Sequence, residues 1–138
     1  MPMTLFLKRV LLLDAANCLI MGAGLLAGAG ALAAPLGLPE ALLSGAGIVL
    51  LPIGLFMAFV ASRARPPALL VWLIILGNLG WAAESLLVAF AQTGVTALGT
   101  AFVATEAAAV LGLASLEYAG LRGAREGLKG NERAGVRR

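Results

Sequence analysis

Residues 68–91 read ALLVWLIILGNLGWAAESLLVAFA, an apolar stretch in which Glu84 is the only charged residue. An α-helix needs about 20 such residues to cross the hydrocarbon core of a bilayer, whereas a membrane-spanning strand needs about half as many and alternates polar with apolar side chains. Pro66 and Pro67 stand just before the stretch, and a helix tolerates proline in its first turn. The sequence therefore predicts a transmembrane helix over residues 68–91.

Three further apolar stretches of similar length occupy much of the remaining chain. They cover about residues 10–34, 41–61 and 95–118, and short connections at residues 35–39, 62–67 and 92–94 separate the four. Because the sequence is 61% hydrophobic and 12% charged, a soluble domain of this size would have too little interior to bury it. The predicted fold class is all-α, a four-transmembrane-helix bundle with antiparallel neighbours, and residues 1–121 form its single domain.

All ten basic residues lie at one end of the predicted bundle. They are Lys8 and Arg9 before the first helix, Arg63 and Arg65 between the second and third, and Arg122, Arg125, Lys129, Arg133, Arg137 and Arg138 after the fourth. Because Lys and Arg mark the cytoplasmic side, we expect both termini in the cytoplasm and a location in the bacterial cytoplasmic (inner) membrane. Residues 122–138 form a basic tail that either rests on anionic lipid head groups or docks a partner.

The two halves of the sequence resemble each other weakly when one is shifted by about 60 positions. Asn17 then falls opposite Asn78, and SRAR at residues 62–65 falls opposite RGAR at residues 122–125. A bias toward Ala, Leu and Gly can produce part of such similarity by chance. The sequence thus leaves two interpretations open: chance, or a two-helix internal duplication with a pseudo-twofold axis along the membrane normal.

Glu84 and Glu106 are the acidic residues predicted to lie deepest in the membrane. Counted from the ends of the third and fourth helices, they lie within about 6 Å of each other in depth. An ionised side chain at the bilayer centre costs roughly 3 kcal/mol on insertion scales, and no Lys, Arg or His occurs inside any span. At least one of the two carboxyl groups is therefore expected to hold a proton near neutral pH. Such a group either exchanges its proton for a cationic ligand or a metal ion, or stays neutral as a hydrogen-bond donor that fixes helix packing.

Three residues beside Glu84 lie on one stripe of the third helix: Asn78, Trp81 and Ser85, at i, i+3 and i+7. A tryptophan at this depth, away from the membrane interfaces, is available to stack on a flat or cationic ligand. The alternative is that Trp81 fills the core while Asn78 and Ser85 bond to neighbouring helices. With Glu84 and Glu106, these residues make up the candidate ligand- or ion-binding site.

Two more polar pairs lie near the predicted cytoplasmic ends of helices. Asp14 and Asn17 are one turn apart in the first helix and share a face. Glu117 and Tyr118 lie at the end of the fourth helix. We expect both pairs to be interfacial clusters that anchor helix ends, with Asp14 reaching toward water or the preceding basic residues. Asp14 and Asn17 are also kept as ligand- or ion-binding candidates.

Small residues favour close helix contact, as in the spacing Gly24-xxx-Gly28 of the first helix. Such surfaces serve either the bundle itself or association with a second copy or another membrane protein, and the sequence does not separate these uses.

The absence of histidine and the presence of one cysteine exclude several chemistries. His-ligated haem and metal centres, a Ser-His triad, an intrachain disulfide and a dithiol redox pair all need residues that the sequence lacks. No glycine-rich phosphate loop occurs, and no acidic residues stand at metal-ligand spacing. We therefore expect no enzymatic activity, no catalytic residue, no cofactor, no metal site and no nucleic-acid partner.

Several short segments carry a resemblance to other chains: LLLDAAN at residues 11–17, LGLP at 36–39, RARPP at 63–67 and NLGW at 78–81. In this pattern the sequence resembles the small, uncharacterised four-helix integral membrane proteins that are common in bacteria. The resemblance implies the fold and brings no activity with it. The first function predicted is a non-enzymatic accessory or scaffold module that binds membrane partners or lipid. The alternative is a small proton- or cation-coupled transporter, acting as an oligomer, that uses Glu84 and Glu106.

Overall fold

The computed structural model describes residues 1–135, which form four α-helices: α1 Leu5–Leu36, α2 Glu40–Ser62, α3 Ala68–Ala91 and α4 Ala97–Gly135. No strand occurs within residues 1–135, and the predicted all-α fold with four helices is confirmed. All four helices are long and apolar enough to cross a membrane, which is the pattern of a multi-pass membrane protein. Arg137 and Arg138 of the predicted tail lie outside the described residues.

Two helices are longer than the apolar stretches that predicted them. α1 begins at Leu5 because Thr4 caps it, with Oγ1 of Thr4 accepting a hydrogen bond from the Leu7 N–H at 3.2 Å. α4 continues past residue 118 into the basic tail, where Arg122 and Glu126 form an exposed salt bridge of 2.9 Å, one turn apart. Hydropathy detects only the apolar part of a helix, so it missed both polar extensions.

The distal end of the bundle, where α1 meets α2 and α3 meets α4, is held together by Thr96. Its Oγ1 donates to the Pro35 carbonyl at 2.7 Å and accepts from the Gly99 N–H at 3.0 Å, so one side chain caps α4 and holds α1. Its N–H also donates to the Leu36 carbonyl at 3.1 Å. Gly37 has a φ of 65°, the left-handed conformation that commonly ends a helix. Pro35 consequently lies in the last turn of α1.

The opposite end carries the N-terminus and the α2–α3 connection. The Met1 ammonium group donates to the Pro66 carbonyl at 3.3 Å, and the Met3 N–H donates to the Ala64 carbonyl at 3.0 Å. The start of the chain therefore packs on the connection that contains Arg63, and basic residues from two segments lie at the same end.

Helix contacts are uneven around the bundle. α1 and α2 pack most closely, because glycines face each other: a Cβ on Gly47 would lie 2.7 Å from the Gly22 carbonyl oxygen. Gly54 faces α1 in the same way, since a Cβ there would lie 3.1 Å from the Ala15 carbonyl oxygen. α4 packs against α1 and α3, whereas α2 and α3 scarcely touch. The helices follow the order α2, α1, α4, α3 around the bundle, and the bundle is open between α2 and α3.

Candidate functional site

Three polar side chains from three helices meet in the interior. Asn78 on α3 donates through Nδ2 to Asp14 Oδ2 on α1 at 2.6 Å and to Glu117 Oε2 on α4 at 3.2 Å. Asp14 and Glu117 are fully buried, and Asn78 is 5% exposed. Because both carboxyl groups lie against the same amide nitrogen of Asn78, the Asp14 and Glu117 carboxyl groups are neighbours. We call Asp14, Asn78 and Glu117 the inner cluster.

The inner cluster differs from the predicted interfacial pairs. Asp14 does not reach Lys8 or Arg9, which are exposed, and Glu117 does not anchor a helix end. The reason is helix length: α1 starts five residues before position 10, and α4 runs well past position 118. Both acids therefore lie within helices rather than at their ends. Asn78 is the eleventh of the 24 residues of α3, so the cluster lies near the middle of that helix.

The inner cluster has more hydrogen-bond acceptors than donors. Among the described residues, the one buried side-chain oxygen or nitrogen without a hydrogen-bond partner is Glu117 Oε1. A thiol is the nearest further donor, since Cys18 Sγ lies 4.0 Å from Asp14 Oδ1 and 4.0 Å from Met57 Sδ, but a thiol is a weak donor. A buried acceptor without a donor lowers the stability of the fold. A further hydrogen-bond donor would therefore stabilise the inner cluster.

A second group of polar residues lines a cavity toward the distal end, which we call the outer cavity. It has a volume of about 360 Å³ and is lined mostly by apolar residues, of which α2 supplies the largest share. The other lining residues include Trp81, Glu84 and Ser85 of α3 and Glu106 of α4. Glu84 is exposed, while Trp81, Ser85 and Glu106 are half-buried. Four of the sequence-predicted candidates therefore border one space, which lies where α2 and α3 diverge.

The remaining candidates are divided between the two groups. Asn17 is half-buried and donates through Nδ2 to Glu106 Oε1 at 3.0 Å, so it supports the outer cavity rather than Asp14, its neighbour one turn away. Asn78 does not line the outer cavity, although Trp81 shares its stripe. The stripe predicted on α3 is thus split between two sites.

A smaller inner cavity of about 130 Å³ lies between the two groups. Asn78 and Cys18 line it on the side of the inner cluster, and Trp81 and Glu106 line it on the side of the outer cavity. Trp81 and Glu106 therefore border both cavities. The inner cavity therefore lies directly beside the outer cavity, and Asn78 is the member of the inner cluster that borders it.

Glu117 was the residue that sequence reasoning left out of the candidate site. It follows Glu106 by 11 residues, which is three turns of α-helix and returns to nearly the same face. Val110 and Ala114 lie between them on that face and are buried. The spacing of the two acids was the available signal, because it places Glu117 on whichever face of α4 holds Glu106.

The arrangement can hold protons or a cationic group, because it combines four carboxyl groups, and among the described residues no lysine or arginine lines either cavity. Within residues 1–135 no three His, Cys, Asp or Glu side chains are grouped so as to hold a metal ion. No protein-family model matches the chain, and no curated protein or solved structure matches it significantly.

Proposed function

We propose that this chain is a small, non-enzymatic membrane protein that binds an apolar organic cation in its outer cavity and exchanges it for protons on Glu84 and Glu106. The observation that carries the proposal is that Glu84 and Glu106 line one apolar cavity together with Trp81. A cation would gain charge pairing with the carboxylates and a cation–π contact with the indole ring. In the part of the chain that the structure describes, no lysine or arginine lines the cavity to compete with the cation.

The place of the cavity supports a ligand that comes from the bilayer. The cavity lies between α2 and α3, the neighbouring helices with the fewest contacts, and α1 and α4 close it from behind. Its lining includes Val49 and Val88, apolar residues on the two helices that border the gap. A molecule dissolved in lipid would therefore reach Glu84 laterally, while an inorganic ion would meet an apolar entrance.

The proposed setting is the bacterial cytoplasmic membrane, with both termini in the cytoplasm. The contact between Met1 and Pro66 supports this orientation, since it brings Lys8 and Arg63 to the same end of the bundle. The outer cavity then lies in the half of the membrane away from the cytoplasm. Four helices leave little room for a complete pathway, so transport would involve a second copy.

An accessory or scaffold module that binds another membrane protein or lipid is the alternative. A separate observation favours it: no side chain or backbone of another helix would lie within 4 Å of a Cβ added at Gly24 or Gly28. This Gly-xxx-Gly spacing is not used inside the bundle, unlike Gly22 and Gly47, and it would allow a partner helix to approach closely.

The first experiment measures binding of tetraphenylphosphonium, an apolar aromatic cation, to the purified protein in lipid nanodiscs by calorimetry. Glu84→Gln and Glu106→Gln are each expected to raise the Kd roughly tenfold, the loss of about 1.4 kcal/mol of charge pairing. The matched control is Glu126→Gln, because Glu126 is on the same helix as Glu106 but is exposed and paired with Arg122.

Proteoliposomes then distinguish binding from transport. We expect cation flux coupled to proton movement in the wild type and none in the double variant Glu84→Gln/Glu106→Gln. If the protein does not bind the cation, or if both Gln variants bind it as well as the wild type, the cavity proposal fails. Retention of normal assembly by the same variants would then favour the accessory module.

A further inference from the structure

The inner cluster has no role in the function proposed above. It nevertheless places two acids side by side where three helices pack together, and it leaves one of their oxygens without a donor. We infer that Asp14 and Glu117 form a proton-binding site in the bundle interior, with at least one proton held between their carboxyl groups under Asn78.

The count of donors and acceptors supports a bound proton. The two hydrogens of the Asn78 amide serve Asp14 Oδ2 and Glu117 Oε2. Glu117 Oε1 has no donor although its residue is fully buried. The adjacent Asp14 carboxyl group is another acceptor unless one of the two groups carries a proton. A proton on either acid turns that contact between two acceptors into a hydrogen bond.

The charges around the inner cluster support the same conclusion. The groups that face it are the Cys18 thiol from α1, Met57 from α2 and, across the inner cavity, the Glu106 carboxyl group from α4. None of these supplies a positive charge, and Lys8 and Arg9 are exposed. Two ionised carboxylates in contact would repel each other strongly in a medium of low dielectric constant, so one of them takes up a proton.

A metal cation fits this site less well than a proton. Hard cations such as Na⁺ and Ca²⁺ need several oxygen ligands directed at one point. Here Asn78 turns its NH₂ group, not its carbonyl oxygen, toward both acids at 2.6 and 3.2 Å. The positively polarised NH₂ group of Asn78 thus occupies the position where an oxygen ligand would have to bind the cation.

The proton has a path toward the outer cavity. The inner cavity extends from Asn78 to Glu106 with a volume of about 130 Å³, whereas a water molecule takes up about 30 Å³ of the liquid. A few waters between Asn78 and Glu106 would join the inner cluster to the acid that borders the outer cavity. The proton-binding site of the inner cluster needs no ligand in the outer cavity, so its test is independent of cation binding.

Infrared spectroscopy of the folded protein in nanodiscs at neutral pH tests this site without any added ligand. Because Glu84 and Glu106 also hold protons when no cation is bound, the measurements are made on Glu84→Gln/Glu106→Gln, a background that removes both acids of the outer cavity. This background is expected to show the C=O stretch of a protonated carboxylic acid, which is separated from carboxylate bands. Adding Asp14→Asn/Glu117→Gln to the background should abolish the band, and adding Glu126→Gln should retain it. If the protein with Asp14→Asn/Glu117→Gln does not fold, labelling the glutamate or aspartate carboxyl carbons with ¹³C shifts the band of the background and identifies the residue type.

Three results would overturn the inference: no protonated-acid band in the Glu84→Gln/Glu106→Gln background at neutral pH, a band that survives when Asp14→Asn/Glu117→Gln is added and the protein folds, or a band that disappears when Na⁺ or Ca²⁺ is added. Transfer of the folded background variant into D₂O should shift the band, because the inner cavity allows exchange. A band that stays unshifted would contradict the path to Glu106.

Discussion

Four of the acidic residues form two pairs that differ in what surrounds them. Asp14 and Glu117 are fully buried and share the amide of Asn78. Glu84 and Glu106 border an open cavity, with Glu84 exposed and Glu106 half-buried. All four side chains end in a carboxyl group, and Glu106 and Glu117 even share a face of α4. The difference comes from the helices around each pair.

The spacing between the helices determines which pair of acids is buried and which borders an open cavity. The inner cluster lies where α4 packs against both α1 and α3, and the Asn78 side chain joins the two acids there. The outer pair lies where α2 and α3 diverge, and no side chain closes that space. A buried acid pair is suited to hold a proton, whereas an open pair is suited to bind and release a ligand.

The largest expected effect comes from removing the amide that joins the inner cluster. Asn78→Leu keeps the side-chain shape but deletes both hydrogen bonds to the buried acids, so it should lower the free energy of unfolding by about 3 kcal/mol. The measurement is unfolding in mixed detergent micelles, followed by loss of helical circular dichroism.

Asn17→Leu is the matched control for that change. Asn17 makes one hydrogen bond, to the half-buried Glu106, and water or lipid head groups can replace it in part. We expect a loss of about 1 kcal/mol. Equal losses of unfolding free energy for the two variants would show that the hydrogen bonds of the inner cluster stabilise the fold no more than that of the outer pair. This result would contradict the difference between the two pairs.

Chemical labelling separates the two pairs by access. A lipid-soluble carbodiimide reacts with protonated carboxyl groups, and it should modify Glu84 roughly tenfold faster than Asp14 or Glu117, because the buried acids react only after local opening. Mass spectrometry of peptides from the labelled protein gives the rates. Faster labelling of Asp14 than of Glu84 would mean that the inner cluster is open in the membrane.

Trp81 should have a smaller effect, and only on the outer pair. Trp81→Leu removes the aromatic face beside Glu84 and should weaken tetraphenylphosphonium binding by about 1 kcal/mol, roughly fivefold in Kd. Trp72→Leu is the control, because Trp72 stacks on Tyr118 with ring centroids 5.8 Å apart and does not line the cavity. If both variants weaken binding equally, Trp81 acts through stability and not through contact with the cation.

The number and type of helices could be predicted from the sequence because hydropathy and length determine them. The four apolar stretches correspond to four helices, and Glu84, Glu106, Trp81 and Ser85 do border one cavity. Hydropathy could not show the start of α1 at its basic residues or the polar end of α4. The sequence therefore did not show that Asp14 is buried against Asn78 of α3 rather than turned toward the basic residues before it.

Contacts between helices that are far apart along the chain could not be predicted from the sequence. Nothing in residues 68–91 shows that Asn78 turns toward α1 while Glu84 turns toward the outer cavity. The internal duplication stays a prediction, and it would not account for the inner cluster: the shift of 61 that aligns Asn17 with Asn78 places Ile75 opposite Asp14 and Phe56 opposite Glu117. The cluster depends on residues that only one half of the chain carries.

The smallest expected effect tests whether Asp14 Oδ1 is free to accept a better donor. Cys18 Sγ lies 4.0 Å from that oxygen and 4.0 Å from Met57 Sδ, so the thiol contributes mainly packing. Cys18→Ala should cost about 1 kcal/mol of unfolding free energy through the space it leaves. Cys18→Ser should stay within about 0.5 kcal/mol of the wild type, because a hydroxyl is a stronger donor than a thiol and offsets the lost sulfur contact. A greater loss for Ser than for Ala would show that the hydroxyl does not reach Asp14 Oδ1 and is left buried without a partner.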